Sequence, residues 1–239
     1  KYITYRYRRS LIRMENNTDK PILSIINGDN EVIKQENSNK NCYINSTQRD
    51  YMAGEVSKDI TRRLLLPEDI VEAHDKGIIH FHDMDYFANH MTNCCLINLE
   101  DMLQNGTVIS ENMIEKPKSF STACNVATQI IAQVASQQYG GQTITLSHLV
   151  PFVDISRQKY IKEVREEFDS IDEDRIKRIA ERRLRKEVKA GVQTIQYQIL
   201  TLLTTNGQTP FITVFMYLNE VEDKYKEDLA LVIEETLKQ

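Results

Sequence analysis

The chain has 239 residues, of which 41% are hydrophobic and 27% are charged, and its formal net charge is −5. This length and apolar share are enough for one large domain with a hydrophobic core. The negative charge argues against sequence-independent binding to nucleic acid, which needs a basic surface. A free nucleotide remains possible, because a small anion needs only a few local donors.

Four cysteines lie at positions 42, 94, 95 and 124, without a Cys-x-x-Cys motif or histidines at zinc-finger spacing. This pattern favours reduced thiols in a cytoplasmic protein. No apolar run approaches the ~20 residues of a membrane span, and no signal peptide opens the chain, so we expect no membrane partner. Position 1 is Lys and position 239 falls in a helical pattern, so we expect a piece of a longer protein.

The first part of the chain predicts a helix followed by a polar connection. Residues 1–14 have apolar side chains at helical spacing. Residues 15–46 are rich in Asn, Asp and Lys and predict a linker or loop, with one short strand at Ile22–Ile26.

Two helices are expected next. The first runs from Thr47 to Leu65, and Ser46 or Thr47 provides its N-cap. The second starts at Pro67, because proline suits the first turn of a helix, and Gly77 stops it.

The middle of the chain predicts a strand and then a helix. The apolar run Cys94–Leu99 is typical of a strand buried on both faces, and a short helical turn covers Leu99–Leu103. Glu111–Lys118 predicts a polar loop. A helix is expected over Thr122–Gln138, and its stripe of alanines permits close approach of another helix, in the core or across a dimer interface.

Ser119 or Ser121 is expected to cap that helix, and Gly140-Gly141 to end it in a turn.

The last part predicts long helices and one more strand. Residues 151–204 are mostly helical, with a charged hinge at Asp169–Asp174. A strand is expected at Thr209–Tyr217 and a final helix at Asp223–Lys238. Strands separated by long helical connections predict an α/β fold.

A polar loop leads to the residue most suited to chemistry, Cys94. A buried cysteine is usually only a small hydrophobic residue. Cys94, however, follows Asn93 at the start of an apolar strand, where a substrate can reach a thiol that is still held rigidly. Cys95 would point to the opposite face.

Histidines precede this strand at positions 80, 82 and 90. His80 and His82 would share one face of a strand, with Asp83 or Asp85 as possible carboxylate partners in a metal site. Because His-x-His-Asp is a pattern of low specificity, we favour histidines that form hydrogen bonds and shape a loop, and expect no metal.

A possible anion site lies before the helix at Thr122. Lys116 and Lys118 supply positive charge there, and a helix amino end supplies unpaired N–H groups for a phosphate. An ordinary solvated loop explains the two lysines equally well.

Four segments resemble the anaerobic (class III) ribonucleoside-triphosphate reductases. In chain order they are LLLPEDIVEAHDKGIIHFHDMDYF, TNCCLINLEDML, EKPKSFSTACNVATQIIAQVASQQYGGQT and TNGQTPFIT. The opening YITYRYRRSLIR is similar to the last helix of the ATP-cone domain found in many members. The resemblance thus implies the end of an upstream domain at 1–14, a linker at 15–46, and a truncated catalytic domain at 47–239.

The resemblance also implies a fold and a reaction. The family has a ten-stranded α/β barrel of the glycyl-radical enzyme type, of which this chain would contain a mostly helical first part. Its members reduce ribonucleoside triphosphates by radical chemistry at the 2′ position. A glycyl radical, installed by a partner activase with an iron–sulfur cluster and S-adenosylmethionine, generates a thiyl radical, and formate is the usual reductant. No cofactor is expected in this chain, which should be inactive alone.

Site residues follow from the same resemblance. Cys94 matches the cysteine on the first barrel strand. The residues matched to substrate-binding positions are Asn93, Gln138, Tyr139, Gly140, Gly141, Asn206, Gln208 and Thr209. The residues matched to the dNTP effector site at the interface of a homodimer are Glu115, Lys116, Lys118, Gln129 and Gln133.

Two alternatives remain open. The chain could be a non-catalytic module for nucleotide binding or dimerisation. It could also belong to another glycyl-radical enzyme, because the adjacent cysteines resemble the vicinal pair of pyruvate formate-lyase.

Overall fold

The computed structural model describes residues 19–28, 43–168, 170–202, 204 and 210–239. These residues form two compact units, and the second unit begins at Thr92. The predicted helix at 1–14 lies outside the described residues, as do most of the predicted linker and Cys42. The predicted domain division therefore stays a prediction.

The first unit contains three α-helices in its described part. They are α1 (Asp19–Ile26), α2 (Asn45–Ile60) and α3 (Glu68–Asp75), with a π-helical turn at Thr61–Leu65 and a 3₁₀ turn at Met84–Tyr86.

The described part of the second unit contains five strands and five α-helices. They are β1 (Cys95–Leu96), α4 (Leu99–Gln104), β2 (Thr107–Ile109), β3 (Asn112–Ile114), α5 (Phe120–Ala135), β4 (Gln142–Thr145), α6 (Val150–Glu167), α7 (Glu173–Thr201), β5 (Ile212–Phe215) and α8 (Lys226–Lys238). The architecture is a mostly helical α/β fold with a small parallel sheet, which confirms the predicted α/β class.

Helix α1 shows that the predicted strand at Ile22–Ile26 is wrong. Ile22, Ile25 and Ile26 also follow helical spacing, and a short apolar run does not distinguish the two structures. The helical form buries Ile25 against Tyr51 and Met52 of α2. Burial of one helix face therefore decided the conformation.

The two predicted helices of the first unit are confirmed, with different ends. Helix α2 begins at Asn45, and its N-cap Ile44 has no side chain that accepts a hydrogen bond, so the predicted cap at Ser46 or Thr47 is wrong. Helix α3 begins directly after Pro67. Gly77 then adopts φ +69°, the left-handed conformation that commonly ends a helix.

A parallel sheet with strand order β1-β4-β5 organises the second unit. Its central strand, β4, was not predicted, because Gln142-Thr143-Ile144-Thr145 contains a single aliphatic residue. The predicted strand at Thr209–Tyr217 is confirmed over its centre, Ile212–Phe215.

The predicted burial of both faces of the first strand is wrong. Cys95 and Ile97 pack against the hydrophobic core, whereas Leu96 between them is 77% exposed. Only Cys95 and Leu96 form the strand. One face of the sheet therefore covers the core, and the other face is open.

Helix α5 packs closely on α7 through small residues. A β-carbon on Gly191 of α7 would lie 2.8 Å from the Phe120 ring and 2.9 Å from Cys124 Sγ. Ala123 and Ala127 are likewise buried. The predicted stripe of small residues thus serves a contact between two helices of the chain. Ser119 caps α5, as predicted, by accepting a hydrogen bond from Thr122 N at 3.2 Å.

Two further features refine the predictions. The hairpin β2–β3 extends into the segment Glu111–Lys118, which was predicted to be a loop. Helix α6 ends at Glu167 and α7 begins at Glu173, so the helix break lies at the predicted charged hinge.

None of the helices in the described ranges has the length and apolar character needed to cross a membrane.

Candidate functional site

The site with the best support lies at the amino edge of the parallel sheet. Because β1, β4 and β5 run in the same direction, the residues that precede each strand meet at one edge. Gly140 N donates a hydrogen bond to Asn93 O at 2.8 Å, and Cys95 N donates to Gly141 O at 3.2 Å. The sheet therefore brings Asn93 and Cys94 together with the predicted Gln138–Gly141 segment.

Gly140 makes this contact possible. A β-carbon at this position would lie 2.5 Å from Asn93 O, 2.8 Å from Cys94 Sγ, and closer still to Asn93 Oδ1. Real β-carbons do not approach other atoms this closely. Glycine is thus required here for the close approach of two backbone segments.

Cys94 presents an exposed thiol beside this contact. Its Sγ–H donates a hydrogen bond to Asn93 Oδ1 at 3.1 Å. Since side chains alternate along a strand, Cys94 shares the open face of the sheet with Leu96. Phe211 also lies near this edge, and its ring would be 2.8 Å from a β-carbon on Gly141. The thiol is thus held by an amide, with Leu96 on the same face of the sheet.

The other described cysteines have different surroundings. Cys95 is half-buried against the core. This burial raises the pKa of its thiol, and the neighbouring Cys94 raises it further by a smaller amount. Cys124 is fully buried in α5, and burial raises its pKa strongly. A thiolate is the reactive form of cysteine, so both thiols are poor nucleophiles.

Two buried glutamines organise the turn before β4. Gln138 Nε2 donates to Gly140 O at 3.1 Å, within the predicted segment. Gln142 Nε2 donates to Ile131 O in α5 at 3.0 Å. Gln142 was not predicted as a site residue, because a single glutamine in a polar segment belongs to no recognisable motif. Asn206, Gln208 and Thr209, the remaining predicted substrate-binding residues, lie outside the described residues.

A second candidate site is a hollow of about 320 Å³ near the start of α5. It is lined by Glu115, Lys116, Pro117, Lys118 and Ile155. Both lysines are exposed, and neither forms an ion pair with a residue of the described ranges. The structure therefore brings together three of the predicted effector residues.

The amino end of α5 does not offer the unpaired N–H groups that the sequence analysis expected. Its first N–H groups already donate within the protein: Phe120 N to Ser156 Oγ at 2.8 Å, Ser121 N to Glu187 Oε1 at 2.9 Å, Thr122 N to Ser119 Oγ at 3.2 Å, and Ala123 N to Ser119 O at 3.0 Å. That part of the prediction is wrong. An anion in the hollow would depend on the lysine side chains.

The two predicted effector glutamines lie farther along α5 and do not line the hollow. At 1.5 Å per residue, Gln129 is ~14 Å and Gln133 ~20 Å along the axis from Phe120. Gln129 is exposed and Gln133 is half-buried.

Two of the three candidate histidines, His80 and His82, lie against each other, and His90 is exposed. His80 Nε2 and His82 Nδ1 are 3.3 Å apart, and His82 Nε2 is 3.3 Å from Asp83 Oδ2. Asp83 has φ +53°, so this segment is not the strand assumed in the sequence analysis. Among the described residues, no three His, Cys, Asp or Glu side chains have a geometry that could hold a metal ion.

Comparison with known proteins gives one consistent family. Residues 36–239 match the family model described as anaerobic ribonucleoside-triphosphate reductase. The protein of that name from Haemophilus influenzae is 43% identical over 216 residues, which cover 89% of this chain and 30% of the relative. The one from Enterobacteria phage T4 is 41% identical and covers 82% of this chain and 32% of the relative. The chain thus spans about a third of the length of these curated relatives.

A solved structure is similar in fold. It is the anaerobic ribonucleotide reductase from Thermotoga maritima in complex with dATP and CTP, with a TM-score of 0.51 and 16% sequence identity. The similarity covers 80% of this chain and 32% of that chain.

Proposed function

Because the chain belongs to the anaerobic ribonucleoside-triphosphate reductase family, we propose that it is part of an enzyme that reduces ribonucleoside triphosphates to deoxyribonucleoside triphosphates. The observation that supports this most directly is Cys94, an exposed thiol held by Asn93 at the amino edge of a parallel sheet. A thiol in this position can reach a substrate and still keep a defined orientation.

The open face of the sheet supports a larger barrel in the longer protein. Leu96, Phe211 and Phe215 are 77%, 55% and 49% exposed on the strands or at their ends. In the proposed ten-stranded α/β barrel, further strands would extend this sheet, and the open face would turn inward. Cys94 would then face a closed interior in which radicals are protected from water.

The proposed reaction is a radical reduction. A glycyl radical elsewhere in the longer enzyme, installed by an activase with an iron–sulfur cluster and S-adenosylmethionine, generates a thiyl radical that removes the 3′ hydrogen. The 2′ hydroxyl leaves as water, and the Cys94 S–H supplies a hydrogen atom at C2′. Formate then restores the Cys94 S–H and reduces the resulting 3′ ketone as it is oxidised to carbon dioxide, and the cysteine that formed the thiyl radical returns the 3′ hydrogen. With formate as the reductant, the overall reaction converts a ribonucleoside triphosphate, formate and a proton into a deoxyribonucleoside triphosphate, carbon dioxide and water. We place this reaction in the cytoplasm, where thiols stay reduced.

Substitution of Cys94 tests the catalytic role. In the longer enzyme, Cys94→Ser is expected to abolish reduction and to leave the glycyl radical signal in electron paramagnetic resonance largely intact. Cys95→Ser is the matched control and should retain activity, because Cys95 packs against the core. Normal turnover in Cys94→Ser would exclude the role, and equal loss in Cys95→Ser would contradict the assignment of faces.

We assign dNTP and ATP effectors to the hollow beside Lys116 and Lys118, at an interface between two copies of the enzyme. A phosphate needs the positive charge that these unpaired lysines supply. Glu115 and the exposed Gln129 are further candidates for contacts with the nucleotide, and Gln133 is a weaker one because it is half-buried.

Calorimetric titration with dNTPs tests the effector site. Lys118→Ala should weaken binding by ~10-fold or more, the loss expected for one charged hydrogen bond. Lys159→Ala is the matched control, since this exposed lysine of α6 pairs with Glu163 at 3.8 Å. Unchanged affinity in a folded Lys118→Ala protein would refute the site.

A further inference from the structure

The side chain of Gln142 connects helix α5 to the sheet edge that carries Cys94. Gln142 is the first residue of β4 and is 1% exposed. Its Nε2 reaches out of the strand and donates to the backbone oxygen of Ile131 at 3.0 Å. A side chain that is fixed at both ends in this way transmits a displacement of one element to the other.

At the sheet, Gln142 lies between the two other parallel strands. It pairs with Cys95 on one side and with Ile212 on the other. Its N–H donates to Phe211 O at 2.8 Å, and the preceding Gly141 O accepts from Cys95 N at 3.2 Å. The position of Gln142 therefore determines where the segments before β1 and β5 lie.

At the helix, Ile131 lies between Gln129 and Gln133, two residues of the proposed effector site. A nucleotide that extends from the hollow beside Lys116 and Lys118 as far as Gln129 would act on the part of α5 whose backbone Gln142 holds. The path from α5 to the thiol is short: Gln142, then the Gly140–Gly141 turn, then Cys94.

The second polar atom of the side chain argues against a purely structural role. Gln142 Oε1 is buried and accepts no hydrogen bond from the described residues. A buried acceptor without a donor reduces stability, whereas an apolar side chain of the same shape would avoid that loss. For packing alone, methionine would serve as well as glutamine.

We propose that Gln142 is a positioning residue that sets the place of Cys94 and couples it to nucleotide binding at helix α5. The inference rests on the proposed function, since it assigns a regulatory connection between its effector and catalytic sites. Gln142 itself does not touch the reacting atoms.

The test uses the 239-residue chain and its Gln142→Met variant, which keeps the volume and removes the hydrogen bond to Ile131 O. The readout is the rate at which iodoacetamide alkylates Cys94, followed by peptide mass spectrometry. Without nucleotide, the substitution should change this rate by about 2- to 30-fold, the range over which residues between coupled sites act. Gln137→Met is the matched control, because Gln137 is exposed just beyond α5.

The same measurement with dATP, dGTP or dTTP tests the coupling. A nucleotide that binds should change the alkylation rate of Cys94 in the unsubstituted chain by about fivefold or more, and in Gln142→Met by less than about twofold. The melting temperature of Gln142→Met should shift by no more than ~4 °C, as expected for one ordinary hydrogen bond. Gln142→Leu provides a second variant of similar volume.

The outcomes separate this inference from the proposed function. Without nucleotide, equal alkylation rates of Cys94 in the unsubstituted chain and in Gln142→Met would overturn the positioning role. A large fall in melting temperature in both Gln142→Met and Gln142→Leu would also overturn it. The coupling would be overturned if the nucleotide changed the alkylation rate of Cys94 equally in the unsubstituted chain and in Gln142→Met. It would also be overturned if the nucleotide bound to the unsubstituted chain without changing that rate. Failure of every nucleotide to bind would refute the effector site and with it the coupling, while the nucleotide-free rates still decide the positioning role.

Discussion

Gly140 lies so close to Asn93 that a β-carbon at position 140 would be 2.5 Å from the Asn93 backbone oxygen. The Gly140 N–H donates a hydrogen bond to that same oxygen at 2.8 Å. The two segments therefore need a glycine at position 140 to meet. Cys94 follows Asn93 directly, so its position depends on this contact.

Gly140→Ala should displace the Asn93–Cys94 segment. Forcing an extra carbon into this contact is expected to destabilise the fold by ~1–3 kcal/mol and to change the alkylation rate of Cys94. Urea denaturation and peptide mass spectrometry measure the two effects. Gly54→Ala is the control, because a β-carbon there meets only Asp85 at 3.5 Å, and alanine inside helix α2 should add up to ~1 kcal/mol of stability. If Gly140→Ala and Gly54→Ala have the same effect on stability and on the alkylation rate of Cys94, the contact at Gly140 tolerates a β-carbon.

The described cysteines should react with alkylating reagents in a defined order. Cys94 is exposed and should react first. Cys95 should follow slowly, because its raised pKa leaves less thiolate at any given pH, and its rate should keep rising as the solution is made more alkaline. Cys124 should react only on unfolding. Site-resolved mass spectrometry across a pH series checks the order, and a faster reaction at Cys95 than at Cys94 would contradict it.

Arg157 and Asp228 form a bidentate ion pair between helices α6 and α8. Arg157 Nη1 donates to Asp228 Oδ2 at 2.9 Å, and Asp228 is only 6% exposed. Asp228→Ala should therefore destabilise the fold by ~2–4 kcal/mol, less than a fully buried pair because Arg157 keeps some contact with water. Urea denaturation measures the loss. Glu166→Ala, which removes an exposed pair with Lys162 at 3.8 Å, should cost less than ~0.5 kcal/mol.

Tyr160 should make the fold sensitive to alkaline pH. Burial, together with the negative charge of Glu187, raises the pKa of Tyr160 from 10.0 to about 12. Between these values the unfolded chain loses the phenolic proton and the folded chain keeps it, so stability should fall as the pH rises through this window. Tyr160→Phe should flatten this part of the stability curve.

Glu187→Gln tests whether the charge of Glu187 contributes to the raised pKa of Tyr160. The substitution removes the negative charge and keeps an oxygen that accepts the hydrogen bond from Ser121 N. Spectroscopic titration of the phenol should then give a lower pKa for Tyr160. An unchanged pKa would mean that burial alone is responsible.

Most of the helices and the accessible thiol of Cys94 could be predicted from the sequence. Helical periodicity and capping signals act over a few neighbouring residues, so Pro67, Gly77 and Ser119 marked helix ends without any tertiary information. Cys94 was recognised because a thiol between a polar loop and an apolar strand is visible in one short segment.

The strand β4 and the coupling residue Gln142 could not be predicted. A central strand is stabilised by neighbours on both sides, here Cys95 and Ile212, which are far away in the sequence. Its own residues therefore do not need the apolar or alternating pattern by which strands are recognised in a sequence. The same explanation holds for α1, where contact with α2 decided between helix and strand.

The sequence by itself determined most of the helical segments, the α/β class and the thiol on which the proposed chemistry depends, because these follow from local spacing and residue type. Only the tertiary structure decided which polar groups are already paired. The N–H groups at the start of α5 donate to Ser156 and Glu187, 36 and 66 residues away from their donors, so no local pattern could show that this helix end is occupied. Hydrogen bonds between distant residues form only when packing brings their partners together, and this is why the proposed anion site depends on Lys116 and Lys118 alone.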